Sequence, residues 1–359
     1  MSETNGAGES AAVDTYEVAV VGGGPAGLSA ALYTTRLGHD TVVVDRGGGR
    51  AAMMLDTHNV IGVTEDVSGN EFLATATEQV KEYGGSVVRD FVTEVDAESD
   101  GRFRLTGNST EIVADRVVLG VGFSDERPEP PLPRTGKGLH YCLHCDAYMF
   151  IDEPVYVMGT GDSAAYVAMI MLNFTDEVDI LTRGDEIEWS DETQKLVEAH
   201  PVDVIHEDVT GINKGDDGWL ESFEFEDSVG PRPTDSRTES GDGTVREYKG
   251  GFALYGSNYN TELAETLGCE LNDDGTIVVD DHGKTSVEGV YAVGDITPGH
   301  NQVPVAMGKG AKAGLAIHKE LRTFPKSLAE IEAEGAVAEG EVPSVSADIQ
   351  AAARSFGDD

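Results

Sequence analysis

The chain has 359 residues, more than one compact domain usually holds, and its 39% apolar share is ample for a core. The longest uninterrupted apolar run, Ala164 to Leu172, is nine residues, which excludes a membrane-spanning helix, and a net charge of −41 (25 Lys and Arg against 66 Asp and Glu) excludes nucleic-acid binding through a positive footprint. Three cysteines exclude a disulfide-stapled secreted scaffold, and residues 1–13 lack the basic start and apolar stretch of a secretion signal, so a soluble, cytoplasmic protein is expected.

The acids are spread along the whole chain, not gathered in one tail or face. Self-repulsion on that scale loosens a compact state in dilute buffer, whereas salt shortens the screening length to roughly 3 Å at 1 M. The expectation is the solvated surface of a halophilic protein from a cell with molar internal salt. An acidic surface that recruits a basic partner is the rival reading, and it predicts clustering.

After a leader over 1–13, residues 16–21 form a β-branched run suited to a buried strand. Gly22-Gly23-Gly24-Pro25-Ala26-Gly27 follows, then an apolar-periodic helix to about Leu37, stopped by Gly38. Thr41 to Val44 reads as a second strand and ends in Asp45. Strand, Gly22-x-Gly24-x-x-Gly27, helix, strand and acid is a βαβ dinucleotide fingerprint in its required context. The glycines permit the tight turn and close approach to pyrophosphate, the helix N-terminus faces the phosphates, and Asp45 is placed for a ribose hydroxyl.

The pattern returns 137 residues later. Val155 to Met158 is a strand, Gly159-Thr160-Gly161-Asp162-Ser163-Ala164 opens a helix through Leu172, and Glu177 to Leu181 is the next strand. Ala164 replaces the third glycine, a permitted variant. Two nucleotide turns suggest electron passage between two dinucleotides; one working turn and one scaffold turn is the bland alternative. Near the end, Val290 to Val293 is a strand closing on Gly294-Asp295, followed by a small-residue helix from about Pro304 to Leu321. Residues 226–243 read as a solvated loop, and from Thr323 the chain becomes an acidic, Ala-rich tail that is partly helical.

Between the two turns sits Tyr141-Cys142-Leu143-His144-Cys145-Asp146. A zinc site would need a second ligand pair, and Cys269 is isolated. Inert core cysteines make the spacing and the adjacent acid coincidental. A redox pair explains most: C-x-x-C closes a small disulfide ring, and a neighbouring acid can donate a proton to a departing thiolate.

This order of motifs resembles the low-molecular-weight thioredoxin reductases of the pyridine nucleotide–disulfide oxidoreductase group. The resemblance covers about residues 15–322. Leu119-Gly120-Val121-Gly122 stands at the family's Ala-Thr-Gly crossover, His58-Asn59-Val60-Ile61-Gly62 at its flavin-contacting turn, and Asn301-Gln302-Val303 at its Arg-Gln-Ala/Val. It implies an α/β fold of two doubly wound Rossmann-like domains. A discontinuous FAD domain spans 14–137 and 250–323; an inserted NAD(P) domain over 138–249 carries the cysteines, with an acidic tail over 324–359. It further implies a homodimer, with no nucleic-acid or membrane partner, that reduces a thioredoxin-like or glutaredoxin-like protein.

By the same resemblance Cys142, Cys145 and Asp146 are catalytic, with Cys145 against the flavin and Asp146 the general acid. Gly22, Gly24, Pro25, Ala26, Gly27, Asp45, Asn59, Gly122, Gly294, Asp295, Gln302 and Val303 bind FAD. Asp295 holds the ribityl chain, with Gln302 and Val303 near the pyrimidine side of the ring. Gly159, Gly161, Asp162, Ser163, Ala164 and Arg183 face NADPH or NADH. Where the family has His-Arg-Arg-x-x-x-Arg for NADPH, however, this chain has Thr182-Arg183-Gly184-Asp185-Glu186-Ile187-Glu188, so the donor stays open among NADPH, NADH and a reduced ferredoxin. A small-molecule dithiol oxidase usually carries His where Asp146 stands; a flavin redox sensor is the non-enzymatic alternative.

Overall fold

The computed structural model describes residues 13–227, 229 and 245–355. The leader to residue 12, most of the expected 226–243 loop and residues 356–359 lie outside them. The chain divides into two compact units: 1–52, 66–123 and 259–359 form the first, 53–65 and 124–258 the second.

In the first unit, Asp14–Val21 is the inner strand of a parallel sheet. It pairs with Thr41–Asp45 on one side, Val18 opposite Thr41, and with Glu111–Leu119 on the other, Val20 opposite Val118. Ser86–Arg89 lies outside Thr41–Asp45, and Val290–Ala292 runs parallel to Val117–Leu119. An antiparallel meander, Val92–Ala97 and Phe103–Gly107, pairs with the first half of Glu111–Leu119. The inner strands read as continuous apolar runs because both faces are covered. Val18 and Val20 pack under the helices Pro25–Arg36 and Val303–Leu321; Ala19 and Val21 pack on the opposite face with Val42, Leu105 and Ile277. Those two helices touch directly: a Cβ at Gly310 would lie 2.0 Å from the Ala26 carbonyl oxygen, so only glycine fits. The tail is partly helical, with Leu328–Glu334 and Ala347–Ser355.

In the second unit, six parallel strands run in the order Asp203–Ile205, Val178–Leu181, Val155–Met158, Gly250–Ala253, Gly138–His140, Arg134–Thr135. A three-stranded antiparallel sheet, Val209–Lys214, Leu220–Phe225 and Val245–Glu247, accompanies it. Tyr156, Phe223 and Tyr248 pack edge-on or tilted against one another with ring centroids 4.9–5.6 Å apart. Here the structure departs from the expected division at 137/138 and 249/250. Gly250–Ala253 is an inner strand of the second sheet, in register with Val155–Met158. Besides the 53–65 segment, the passages between units fall at 123/124 and 258/259.

Candidate redox site

Cys142 and Cys145 form a disulfide with their Cα atoms 5.3 Å apart. Cys142 is extended and caps a single helical turn, Leu143–Asp146; the backbone N–H groups of Cys145 and Asp146 both donate to its carbonyl at 3.2 Å. The turn thus brings the second cysteine back over the first and sets Asp146 directly after it. The Asp146 carboxylate does not stand alone: its Oδ2 lies 2.8 Å from Nδ1 of His140, on the strand just before the pair. Cys269 is elsewhere, in the first unit, where burial pushes its thiol up despite a contact to the Thr285 hydroxyl. A thiol kept protonated is a poor nucleophile.

The first glycine turn is built as its spacing demands. Gly22 has φ +105°, and a Cβ there would press on the Gly120 carbonyl at 2.5 Å; one at Gly27 would lie 2.0 Å from the Gly22 carbonyl oxygen. Strand, turn and helix are therefore in backbone contact. At Gly24, by contrast, a Cβ would meet nothing within 4 Å, and no side chain caps the helix that Pro25 and Ala26 open. Open space over an uncapped helix N-terminus suits a pyrophosphate. Asp45 ends its strand with Oδ1 accepting from Gly23 N–H and Oδ2 from Gly47 N–H, both at 2.9 Å. Its carboxylate is thereby fixed beside the turn. This donor set and cradle fit the adenosine diphosphate half of FAD.

Gly122, Gly294, Asp295, Gln302 and Val303 lie in the same unit as the turn. Two residues missed at the sequence level hold Gly122 and Gly294. Asn260 donates its side-chain amide to the carbonyls of Val121 and Gly122 at 2.9 and 3.0 Å, fixing the crossover after Glu111–Leu119. Lys309, on the long helix, donates its ammonium to the carbonyls of Gly294, Thr297 and Pro298 at 3.0, 3.1 and 2.9 Å. Burial pulls that ammonium below the usual lysine range, against the opposing charge of Asp295. Nothing in the sequence distinguished it from Lys312 and Lys319 on the same helix. Asn59 is exposed and belongs to the 53–65 segment, which groups with the second unit, where neighbouring His58 packs edge-on to Tyr148 at 5.4 Å.

The second turn shares the open design: Gly161 caps the Asp162–Met171 helix with no side-chain cap and no atom within 4 Å of a Cβ, and Ser163 and Ala164 lie in its first turn. At Gly159 a Cβ would lie 2.8 Å from the Leu254 carbonyl and 3.0 Å from Ala164 Cβ. The segment after Val178–Leu181 is tied to this turn. Glu188 N–H donates to the Thr160 carbonyl at 3.0 Å and Ser190 N–H to Asp162 Oδ1 at 2.9 Å. Those bonds, Ser190 N–H first and then the Thr193 hydroxyl, hold the Asp162 carboxyl below its usual range. Arg183, with φ +58° and its side chain 6% exposed, is turned into the protein, bonded to Asp208 and the Glu129 carbonyl.

Comparison with known proteins agrees with this architecture. The model of the pyridine nucleotide-disulphide oxidoreductase family matches residues 16–310. The chain is 33% identical over 313 residues to a thioredoxin reductase of Peptoclostridium acidaminophilum, covering 85% of this chain and 97% of that protein, and equally identical over 312 residues to one of Peptoclostridium litorale. Among solved structures, a thioredoxin reductase of Streptococcus pyogenes superposes with a TM-score of 0.75 at 26% identity, over 87% of this chain and 100% of its own. The chain belongs to the pyridine nucleotide-disulphide oxidoreductase family, as a flavin-dependent thiol–disulfide oxidoreductase of the thioredoxin-reductase type.

Proposed function

We propose that the chain reduces a thioredoxin-like protein disulfide, drawing on a nicotinamide nucleotide without strong selection for the 2′-phosphate, as a cytoplasmic homodimer in molar salt. One observation carries the chemistry: the Cys142–Cys145 disulfide with a carboxylic acid at the end of its own helical turn, in a unit that also holds a dinucleotide turn.

In this reading Gly22, Gly24, Pro25, Ala26 and Gly27 bind the FAD pyrophosphate, Asp45 the adenosine ribose, and Gly122, Asp295, Gln302 and Val303 the flavin end. Bound flavin supplies two-electron chemistry between the nicotinamide and the disulfide. As the Cys142–Cys145 bond accepts the electron pair and breaks, Asp146 gives a proton to the departing sulfur. The dithiol then exchanges with the partner's disulfide, which is reduced as Cys142–Cys145 reforms. Thioredoxin as partner is favoured by the names of the two Peptoclostridium relatives, both thioredoxin reductases.

Gly159, Gly161, Asp162, Ser163 and Ala164 form the nicotinamide turn. A second reading, a reduced ferredoxin as donor, is favoured by the ties that Glu188 and Ser190 make to this turn and by the commitment of Arg183 to Asp208. Anaerobic titration of the flavin-loaded protein with NADH, NADPH and reduced ferredoxin, read by flavin bleaching, separates the two. Bleaching by neither nucleotide overturns the nicotinamide reading; loss of thioredoxin reduction on removing either cysteine tests the rest.

A further inference from the structure

His140 is buried, 5% exposed, with its ring edge-on to Phe150 at 5.3 Å and tilted against Phe252 at 6.2 Å. Its Nδ1 faces Asp146 Oδ2 at 2.8 Å, while its Nε2 is buried with no hydrogen-bond partner among the described residues. A neutral imidazole carries one N–H and one lone pair. Placing the proton on Nε2 would bury an orphan donor, the rarer and costlier fault in protein interiors. Nδ1 therefore carries the proton and donates to the carboxylate.

We propose that His140 is the positioning residue for Asp146, holding Oδ2 by an Nδ1–H bond that strengthens as Asp146 gives up its proton. The proposal rests on Asp146 being the proton donor in the disulfide half-reaction. When a reductant delivers two electrons to Cys142–Cys145, the S–S bond breaks, one sulfur takes the Asp146 proton, and the acid is left as a carboxylate. A hydrogen bond to a charged acceptor is roughly twice as strong as one to a neutral acid. The His140 contact thus stabilises the state after proton transfer more than the state before it, which is the kind of contact that lowers a barrier.

The surroundings keep this pairing simple. Phe150 and Phe252 bring no charge to the ring. Around the acid stand exposed His144 and Tyr148; burial raises the Tyr148 phenol, helped by the charges of Glu65, Asp56 and Asp146. His58 is engaged by Asp56 at 2.9 Å.

The flavin-loaded protein is treated with dithiothreitol across pH, and the thiols released from Cys142–Cys145 are trapped with iodoacetamide. The reductant's own titration is common to all variants, so differences between them report the site. His140→Phe fills the ring slot without the donor. It should slow disulfide opening about tenfold or more and move the alkaline limb of the profile to higher pH by about one unit, the loss of one charge-assisted bond. His140→Asn, whose amide can replace Nδ1–H, should restore most of the rate and the wild-type limb. An unchanged profile in His140→Phe, or an equal slowing when it is added to Asp146→Asn, overturns the proposal. Wild-type rates in Asp146→Asn alone would instead refute the acid role on which it rests. Independently of any variant, ring nitrogen NMR of the oxidised protein should find His140 as the neutral Nδ1–H tautomer; the Nε2–H form or the imidazolium would overturn it.

Discussion

Arg183 donates from Nε to Oδ1 of Asp208 at 2.9 Å and from Nη1 to the Glu129 carbonyl, so the one basic side chain of the Thr182–Glu188 segment is spent within its own unit. What remains exposed there is Asp185, Glu186 and Glu188. Discrimination of a 2′-phosphate needs bidentate, charge-assisted contacts from guanidinium groups, and acids next to it repel.

Any nicotinamide reduction should therefore favour NADPH over NADH by less than about tenfold, or roughly 1.4 kcal/mol. Arg183→Gln should leave that ratio within about twofold of the wild type, since the guanidinium points at Asp208. Steady-state rates with each nucleotide in molar salt measure both. A hundredfold NADPH advantage would mean that another basic residue does the reading.

Cys142→Ser and Cys145→Ser should each abolish reduction of a thioredoxin disulfide while leaving flavin bleaching by the donor intact. Donor bleaching of the flavin does not use the disulfide, whereas thioredoxin reduction does, so removing the pair severs the second and spares the first. Wild-type turnover in either variant would make the pair structural.

The glycine turn offers a contrast between binding and folding. Gly24→Glu adds a side chain where a Cβ meets no atom within 4 Å, so the fold should persist while a carboxylate occupies the pyrophosphate approach. The product should be colourless yet melt cooperatively. Gly27→Ala instead drives a methyl into the Gly22 carbonyl at 2.0 Å and should cost about 1–3 kcal/mol of stability, as overpacking does. Flavin absorbance and thermal melts of both proteins decide this.

Lys309→Met should weaken flavin retention about tenfold, because three carbonyls of the Gly294–Pro298 turn lose their shared donor and the turn carries Asp295. Flavin release during dialysis, compared with the wild type, gives the factor. Retention equal to wild type would show that the turn is held without the lysine.

Stability should fall as salt is lowered from molar to tens of millimolar. The net charge is −41, and the screening length grows from roughly 3 Å at 1 M to about 30 Å at 0.01 M. Repulsion that is local in strong salt then acts across the molecule. An unfolding midpoint that stays flat over this range would refute the salt-adapted surface and favour acidic docking.

The parts of this protein legible in its sequence are those governed by neighbours along the chain. The strands at 41–45 and 155–158 and the helix to Leu321 announce themselves by apolar runs or helical periodicity, and the structure returns the same bounds to within a residue or two. The two glycine turns are equally local, because a positive φ and a missing Cβ are properties of single positions. The cysteine pair needs only its spacing of three to close a ring. What required tertiary structure is every pairing between distant segments. Gly250–Ala253 is too short and too rich in glycine to declare its sheet; its register against Val155–Met158 assigns it to the second unit. Arg183 stood in the nucleotide-reading position by sequence, but its partner Asp208 is 25 residues on and reached through the fold. Lys309 meets Gly294 only because helix and turn close on each other, and even His140 and Asp146, six residues apart, meet only because a strand end and a helical turn converge. Backbone periodicity is set by local sterics and apolar spacing, whereas a side chain's partner is set by where the chain returns, and that is decided by packing of the whole unit.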